Sequence, residues 1–205
     1  MKPPGHALLV LAAGASRRLG EPKQLLQLGG QSLVRRSVRA GLATAPSQAW
    51  LVLGAVADAV SAEVADLPVR PVFCAGWQAG LGASLATGLG ALDPDIDGAL
   101  VLVCDQPALD ARHLQALVAA WYRDPACAAA SAYADVLGVP ALLPRAWFAE
   151  LAQGHDDRGA RELLRRNAAN VFAVPAPALA QDLDTPSQRE DWQAGPSLGR
   201  KDPPE

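Results

Sequence analysis

Three short apolar runs constrain this chain most: ALLVLAA at 7–13, AWLVL at 49–53 and ALVLVC at 99–104. Continuous apolar runs of this length predict strands buried on both faces. Helical patterns fill the gaps. From Ser32 to Ala45 the residues Leu33, Val34, Val38 and Leu42 fall at helical spacing, with Ser32 as N-cap. Val56–Leu67 repeats the pattern through Val60 and Val64, and Val69–Phe73 predicts a further strand. Leu81–Leu92 and Ala111–Tyr122 predict helices, the second capped by Asp110. Strand and helix alternating in this way predict a doubly wound, parallel α/β sheet.

The second half is less regular. Ala128–Tyr133 and Val136–Leu143 predict strands running antiparallel to the rest, and Asn170–Val174 a last strand. Arg145–Ala152 and Gly159–Asn167 predict helices. No internal repeat is visible. After Trp192 the sequence AGPSLGRKDPPE, rich in Pro, Gly and charge, predicts a mobile tail at 193–205, leaving 1–192 as one domain.

Composition narrows the function classes. Of 205 residues half are hydrophobic and 19% charged, an ordinary globular balance. A net charge of −3 argues against a general nucleic-acid binder. Cys74, Cys104 and Cys127 are odd in number and scattered, which suits a reducing compartment rather than a disulfide framework or zinc site. Lys2 and the apolar run after it resemble a signal peptide, but Arg17 and Arg18 arrive too soon and suit a strand entering a polar loop. No apolar stretch approaches the roughly 20 residues that span a bilayer. The expected location is the cytoplasm, with no membrane partner.

Ligands of parallel α/β sheets bind at the carboxyl ends of the strands, and three stretches fall there. The loop Ala12–Lys23 carries Gly14 and Gly20, which let backbone approach a ligand, plus Arg17, Arg18 and Lys23. Exposed amides in such a turn form an anion nest, and a polyphosphate is the natural guest. The spacing is neither a Walker A loop nor GxGxxG, and a solvated basic turn is the competing reading. Asp105, in GALVLVCDQP, ends an apolar strand and suits Mg²⁺, or is simply a turn-forming aspartate. In QDLDTPSQRED, Asp182 or Asp184 meets Asp105 across a metal if the chain returns there; Asp-Thr-Pro also reads as a helix start.

Other features are discounted. GASLA at 82–86 lacks the second glycine of a nucleophile elbow. His6, His113 and His155 are scattered and read as surface or half-buried residues, with no second histidine four residues beyond His113. The five tryptophans read as packing residues, and RRSVR at 35–39 as the solvated face of the first helix.

In order, the segments resemble the molybdenum cofactor nucleotidyltransferases, within the wider NTP transferases. LAAGASRRLGEPKQLLQLGGQSLV resembles their signature loop, Leu-Ala-(Ala or Gly)-Gly-x-Ser-x-Arg-(Met or Leu)-Gly followed by x-x-Lys. CDQP at 104–107 resembles their metal-binding strand end, and GWQAGLGASLATGL at 76–89 their nucleoside-side segment. LGVPALLP, DDRGAR and DLDTP complete the order over nearly all of residues 7–192. The resemblance implies a three-layer α/β/α, Rossmann-like, mostly parallel sheet. Ala13, usually glycine in the guanylyl-transferring branch, points to the cytidylyl-transferring one, which joins CMP from CTP to the phosphate of molybdopterin and releases pyrophosphate.

Roles implied by the resemblance follow residue by residue. Ala12, Ala13, Gly14 and Ser16 face the nucleotide. Arg18 and Lys23 bind its triphosphate and, with Asp105, are the catalytic set. Gly82 and Ser84 line the base and ribose. Asp105 and Asp184 hold Mg²⁺. Gly138, Pro140, Asp157 and Arg161 face the pterin. A molybdenum hydroxylase is the implied recipient of the product. Cys74 departs from the pattern, standing where many relatives have asparagine three residues before the tryptophan. Three alternatives remain open: guanylyl transfer, a sugar-phosphate or methylerythritol-phosphate acceptor, and a non-catalytic nucleotide-binding accessory protein.

Overall fold

The apolar runs form the inner strands of one sheet. The computed structural model describes residues 4–16, 19–153, 160–183 and 187–188. In chain order the strands are β1 (His6–Leu11), β2 (Gln27–Leu28), β3 (Gln31–Ser32), β4 (Gln48–Leu53), β5 (Arg70–Phe73), β6 (Gly98–Val103), β7 (Ala128–Tyr133), β8 (Val136–Pro144) and β9 (Val171–Pro175). The helices are α1 (Leu33–Leu42), α2 (Ala57–Ala62), α3 (Leu81–Gly90), α4 (Ala111–Trp121), α5 (Phe148–Leu151) and α6 (Arg161–Arg166). Seven strands make the main sheet in the order β5-β4-β1-β6-β8-β7-β9; β2 and β3 form a separate small hairpin.

Alternation along the strands sorts side chains into two cores. Leu8, Val10 and Ala12 from β1 and its end, with Leu100, Leu102 and Cys104 from β6, pack beneath α1, α2 and α4. Leu9, Leu11, Ala99 and Val101 face the other way, against Leu85 and Leu89 of α3 and Leu163 and Leu164 of α6. A strand buried on both faces has no polar side, which is why these runs read as continuous apolar sequence. The result is the expected three-layer α/β/α arrangement.

Helix starts follow the sequence closely. The Ser32 hydroxyl accepts from the Arg35 amide, and the Asp110 carboxylate from the His113 amide. Ends are less legible. Helix α2 stops at Ala62 and gives way to turns, five residues short of expectation, and α3 ends at Gly90. The expected helix over 145–152 is a 3₁₀ turn at Arg145–Trp147 followed by the single turn of α5.

Strand direction also needs correction. Within the seven-stranded sheet of the described residues β8 alone runs antiparallel, pairing with both β6 and β7. β7 is parallel to β9, and two reversals bring it back into line with β1, β4 and β6. A two-residue turn, Ala134-Asp135 with φ of 47° and 58°, joins β7 to β8. Such a hairpin turn matches strand twist, but lacks the glycine or asparagine that flags it in sequence.

Two surface readings change as well. His6 is 2% exposed, and its Nε2 lies 3.0 Å from the Thr44 hydroxyl. Two of the three RRSVR arginines are anchored: Arg35 donates to Asp66 and to the Glu63 carbonyl, and Arg36 to the Pro107 carbonyl, while Arg39 is exposed as expected.

Candidate active site

β1 and β6 lie side by side, and their outer neighbours run off in opposite directions along the sheet. This is the switch point at which open α/β sheets bind ligands. A cleft of about 210 Å³ opens there on the α3 face, lined by Ala13, Gly14, Lys23, Gln24, Trp77, Gly80, Leu81, Ser84 and Asp105.

The loop after β1 forms one wall. The Ala12 amide donates to the Val52 carbonyl at 2.9 Å, and the Ala55 amide to the Ala13 carbonyl at 3.1 Å. Gly54 is required between them: a Cβ there would meet the Ala13 carbonyl oxygen at 2.5 Å. The Ser16 hydroxyl accepts from the Lys23 amide at 3.0 Å. Among the described residues, the amides of Ala13, Gly14 and Ala15 make no hydrogen bond. Three successive amides without an acceptor are donors that an anionic ligand could use.

Lys23 crosses the cleft to an ion pair with Asp105 Oδ2, both side chains being about four-fifths buried. Asp105 Oδ1 is buried and has no hydrogen-bond partner among the described residues. An orphaned carboxylate oxygen fits a hard divalent cation, which takes one or two carboxylates and completes its shell with substrate phosphates and water. Among the described residues no three His, Cys, Asp or Glu side chains gather into a metal cage.

The chain does return to this edge. The Leu183 amide donates to the Asp105 carbonyl at 2.8 Å, and the Leu183 side chain packs with Leu19, Leu26 and Leu33. Asp184 follows directly but lies outside the described residues, as do Arg17, Arg18, Asp157, His155 and the 193–205 tail.

Of the residues singled out in sequence, Ala13, Gly14, Lys23, Ser84 and Asp105 converge on the cleft. Ala12 and Ser16 brace it from below through hydrogen bonds. Gly82 is buried in α3, one residue past the lining residue Leu81. Gly138, Pro140 and Arg161 belong to the β8 and α6 side, outside the cleft lining.

Four residues with a stake in the site escaped the sequence reading. Gln24 lies in the cleft floor, 1% exposed, and adjacency to Lys23 was its only signal. Trp77 packs against the α3-side core but also presents itself to the cleft. Gln106 is 5% exposed; its Nε2 donates to the Val139 carbonyl at 3.1 Å, while its Oε1 is buried without a partner among the described residues. Tyr133 donates to the same carbonyl at 2.8 Å, and burial, then the Asp182 charge, push its phenol above its ordinary value. Burial likewise pushes the Cys104 thiol up to about 12, so it is neutral at physiological pH.

A mostly parallel three-layer sheet with unpaired loop amides, a lysine and a strand-end aspartate at one switch-point cleft fits a nucleotidyltransferase-type protein. The chain belongs to the MobA-like NTP transferase domain family, whose model matches residues 8–171. It is similar to the bifunctional protein GlmU of Rhodococcus jostii, 36% identical over 197 residues. That match covers 86% of this chain but only 38% of the relative's length. Nicotine blue oxidoreductase of Paenarthrobacter nicotinovorans is 31% identical over 192 residues, 88% of this chain and 92% of that one. Among solved structures, Rv0371c from Mycobacterium tuberculosis H37Rv superposes with a TM-score of 0.79 at 29% identity, covering 92% and 97% of the two chains. Its complex with manganese gives 0.75 at 27% identity, covering 91% and 96%. No helix among the described residues is long and apolar enough to cross a membrane.

Proposed function

We propose that the protein is a CTP:molybdopterin cytidylyltransferase, transferring CMP from CTP to the phosphate of molybdenum-molybdopterin. The observation that carries this reading is one cleft that holds the Lys23–Asp105 ion pair beside Ala13 and Gly14, whose amides have no acceptor among the described residues, in a chain of this family. A phosphate oxygen of the acceptor attacks the α-phosphorus of CTP. The bond from that phosphorus to the bridging oxygen breaks, and pyrophosphate leaves with the electron pair. The acceptor is already a nucleophile, so the protein aligns it and neutralises charge, with no need of a serine or cysteine.

In this reading the loop amides and Arg18 hold the triphosphate, and Lys23 neutralises charge at the α-phosphate. Gly82 and Ser84 mark the nucleoside end. Ala13 supports a pyrimidine, because the guanylyl-transferring branch that the loop resembles usually has glycine there. Asp105, with Asp184, would hold Mg²⁺ or a similar cation; such a cation screens phosphate charge and polarises the phosphoryl oxygen. Gly138, Pro140, Asp157 and Arg161 form the acceptor side, joined by Gln106, whose amide oxygen has no partner among the described residues and suits an N–H of a pterin-like heterocycle. A molybdenum hydroxylase receives the product, and the location is cytoplasmic.

The test incubates the protein with Mg²⁺, molybdenum-loaded molybdopterin and either CTP or GTP, and measures pyrophosphate. CTP-dependent release is expected. Preference for GTP moves the protein to guanylyl transfer, and release with sugar phosphates or methylerythritol phosphate changes the acceptor. Nucleotide binding with no turnover on any acceptor leaves an accessory protein.

A further inference from the structure

Gln24, part of the cleft lining, is almost fully buried against the loop that follows β1. Its Nε2 donates to the Ala12 carbonyl at 2.9 Å and to the Gly14 carbonyl at 2.7 Å. Its Oε1 accepts from the Ser16 hydroxyl at 3.5 Å. Two carbonyl acceptors fix the orientation of the amide, since only the NH₂ end has protons for both. Both protons are therefore committed to the loop's own backbone.

The consequence follows from peptide geometry. In a trans peptide the carbonyl of one residue and the N–H of the next point in opposite directions. Drawing the carbonyls of Ala12 and Gly14 toward Gln24 therefore sends the N–H groups of Ala13 and Ala15 the other way. The Ala13 carbonyl is held separately by Ala55. None of these outward amides has an acceptor among the described residues.

We infer that Gln24 is a positioning residue that turns the Ala13 and Ala15 amides outward as donors to bound nucleotide. The inference rests on the nucleotidyl-transfer reading above and deepens it. It separates two tasks on adjacent residues: Lys23 supplies charge, and Gln24 supplies the shape of the neutral donor array. A glutamine that merely satisfied buried carbonyls would affect stability but leave nucleotide affinity largely alone.

The experiment compares the full-length protein with Gln24→Met, which keeps length but removes both donors, and Gln24→Glu, which sets a carboxylate against two carbonyls. CTP with Mg²⁺ is titrated calorimetrically and followed by ¹⁵N–¹H spectra of the wild-type loop. In wild type the Ala13 and Ala15 amide resonances shift on adding CTP. Both variants bind CTP at least about tenfold more weakly, as expected when hydrogen bonds to a charged group are misaligned. The nucleotide KM rises while the acceptor KM stays put. Unchanged CTP affinity in a folded Gln24→Met protein overturns the inference. So do wild-type Ala13 and Ala15 amides that stay still under saturating CTP, a result available even if no variant folds. If wild type binds neither CTP nor GTP, the nucleotide reading fails first, and this inference with it.

Discussion

Lys23 and Asp105 stand 82 positions apart in the chain and share one largely buried ion pair. Each has a reason to be there that folding alone does not supply. Asp105 keeps one buried oxygen without a partner among the described residues, a cost of about 1–3 kcal/mol that a purely structural aspartate would avoid. Replacing Lys23 or Asp105 by alanine is expected to lower turnover by at least about 100-fold, because each removes a group aimed at charge that develops in the transition state. Circular dichroism should show an unchanged fold in both. A turnover near wild type in either variant removes that residue from the catalytic set. The lysine was legible through the family-like spacing after Gly20, and the aspartate through its place at the end of an apolar strand. Gln24 and Gln106 were not legible, because a glutamine has no pattern of its own until its acceptors are known.

The loop between β1 and α1 works as an element because other elements clamp it. Gly54, just past β4, admits the Ala13 backbone where any side chain would collide. Leu19, Leu26 and Leu33 draw its second half down against Leu183 from the far end of the chain. Gly54→Ala is therefore expected to push on the Ala13 carbonyl. The cost is roughly 1–3 kcal/mol of stability from overpacking, together with weaker nucleotide binding, read by thermal melting and by CTP titration. Normal affinity in that variant would mean that the loop tolerates displacement. The helices show the same division between local and distant causes. Ser32 and Asp110 were readable as caps because the capping bond is made within three residues. The end of α2 was not, since its apolar positions continue to Leu67 while the backbone leaves the helix at Ala62.

Whole-molecule stability should depend on pH through buried histidine. Burial pushes the His6 imidazole down to about 4, against about 6.5 in an unfolded chain. The Thr44 hydroxyl gives its proton to the Gly41 carbonyl at 2.7 Å, so the imidazole Nε2–H is the donor to that hydroxyl. Between these two pKa values the unfolded state binds the proton and the folded state does not. Stability is then whole above about pH 6.5 and is lost as pH falls toward 4, by up to roughly 3 kcal/mol. His113 is lowered by burial too and acts with the same sign. Urea melts across this range should show the loss, and a folded His6→Gln protein should lose less. Equal slopes in the two proteins would assign acid sensitivity elsewhere.

The sequence by itself determined the strands of the central sheet, the burial of the inner strands β1, β4 and β6, the helix caps and the two ends of the Lys23–Asp105 pair. All of these are written in local periodicity or in the residue that closes a strand. Tertiary structure alone decided that only β8 runs backwards, that Leu183 returns to Asp105, that His6 is buried, and that Gln24 holds the carbonyls of Ala12 and Gly14. Each of those depends on a partner distant in the chain or on a backbone direction, and neither leaves a period or a spacing for a sequence to display.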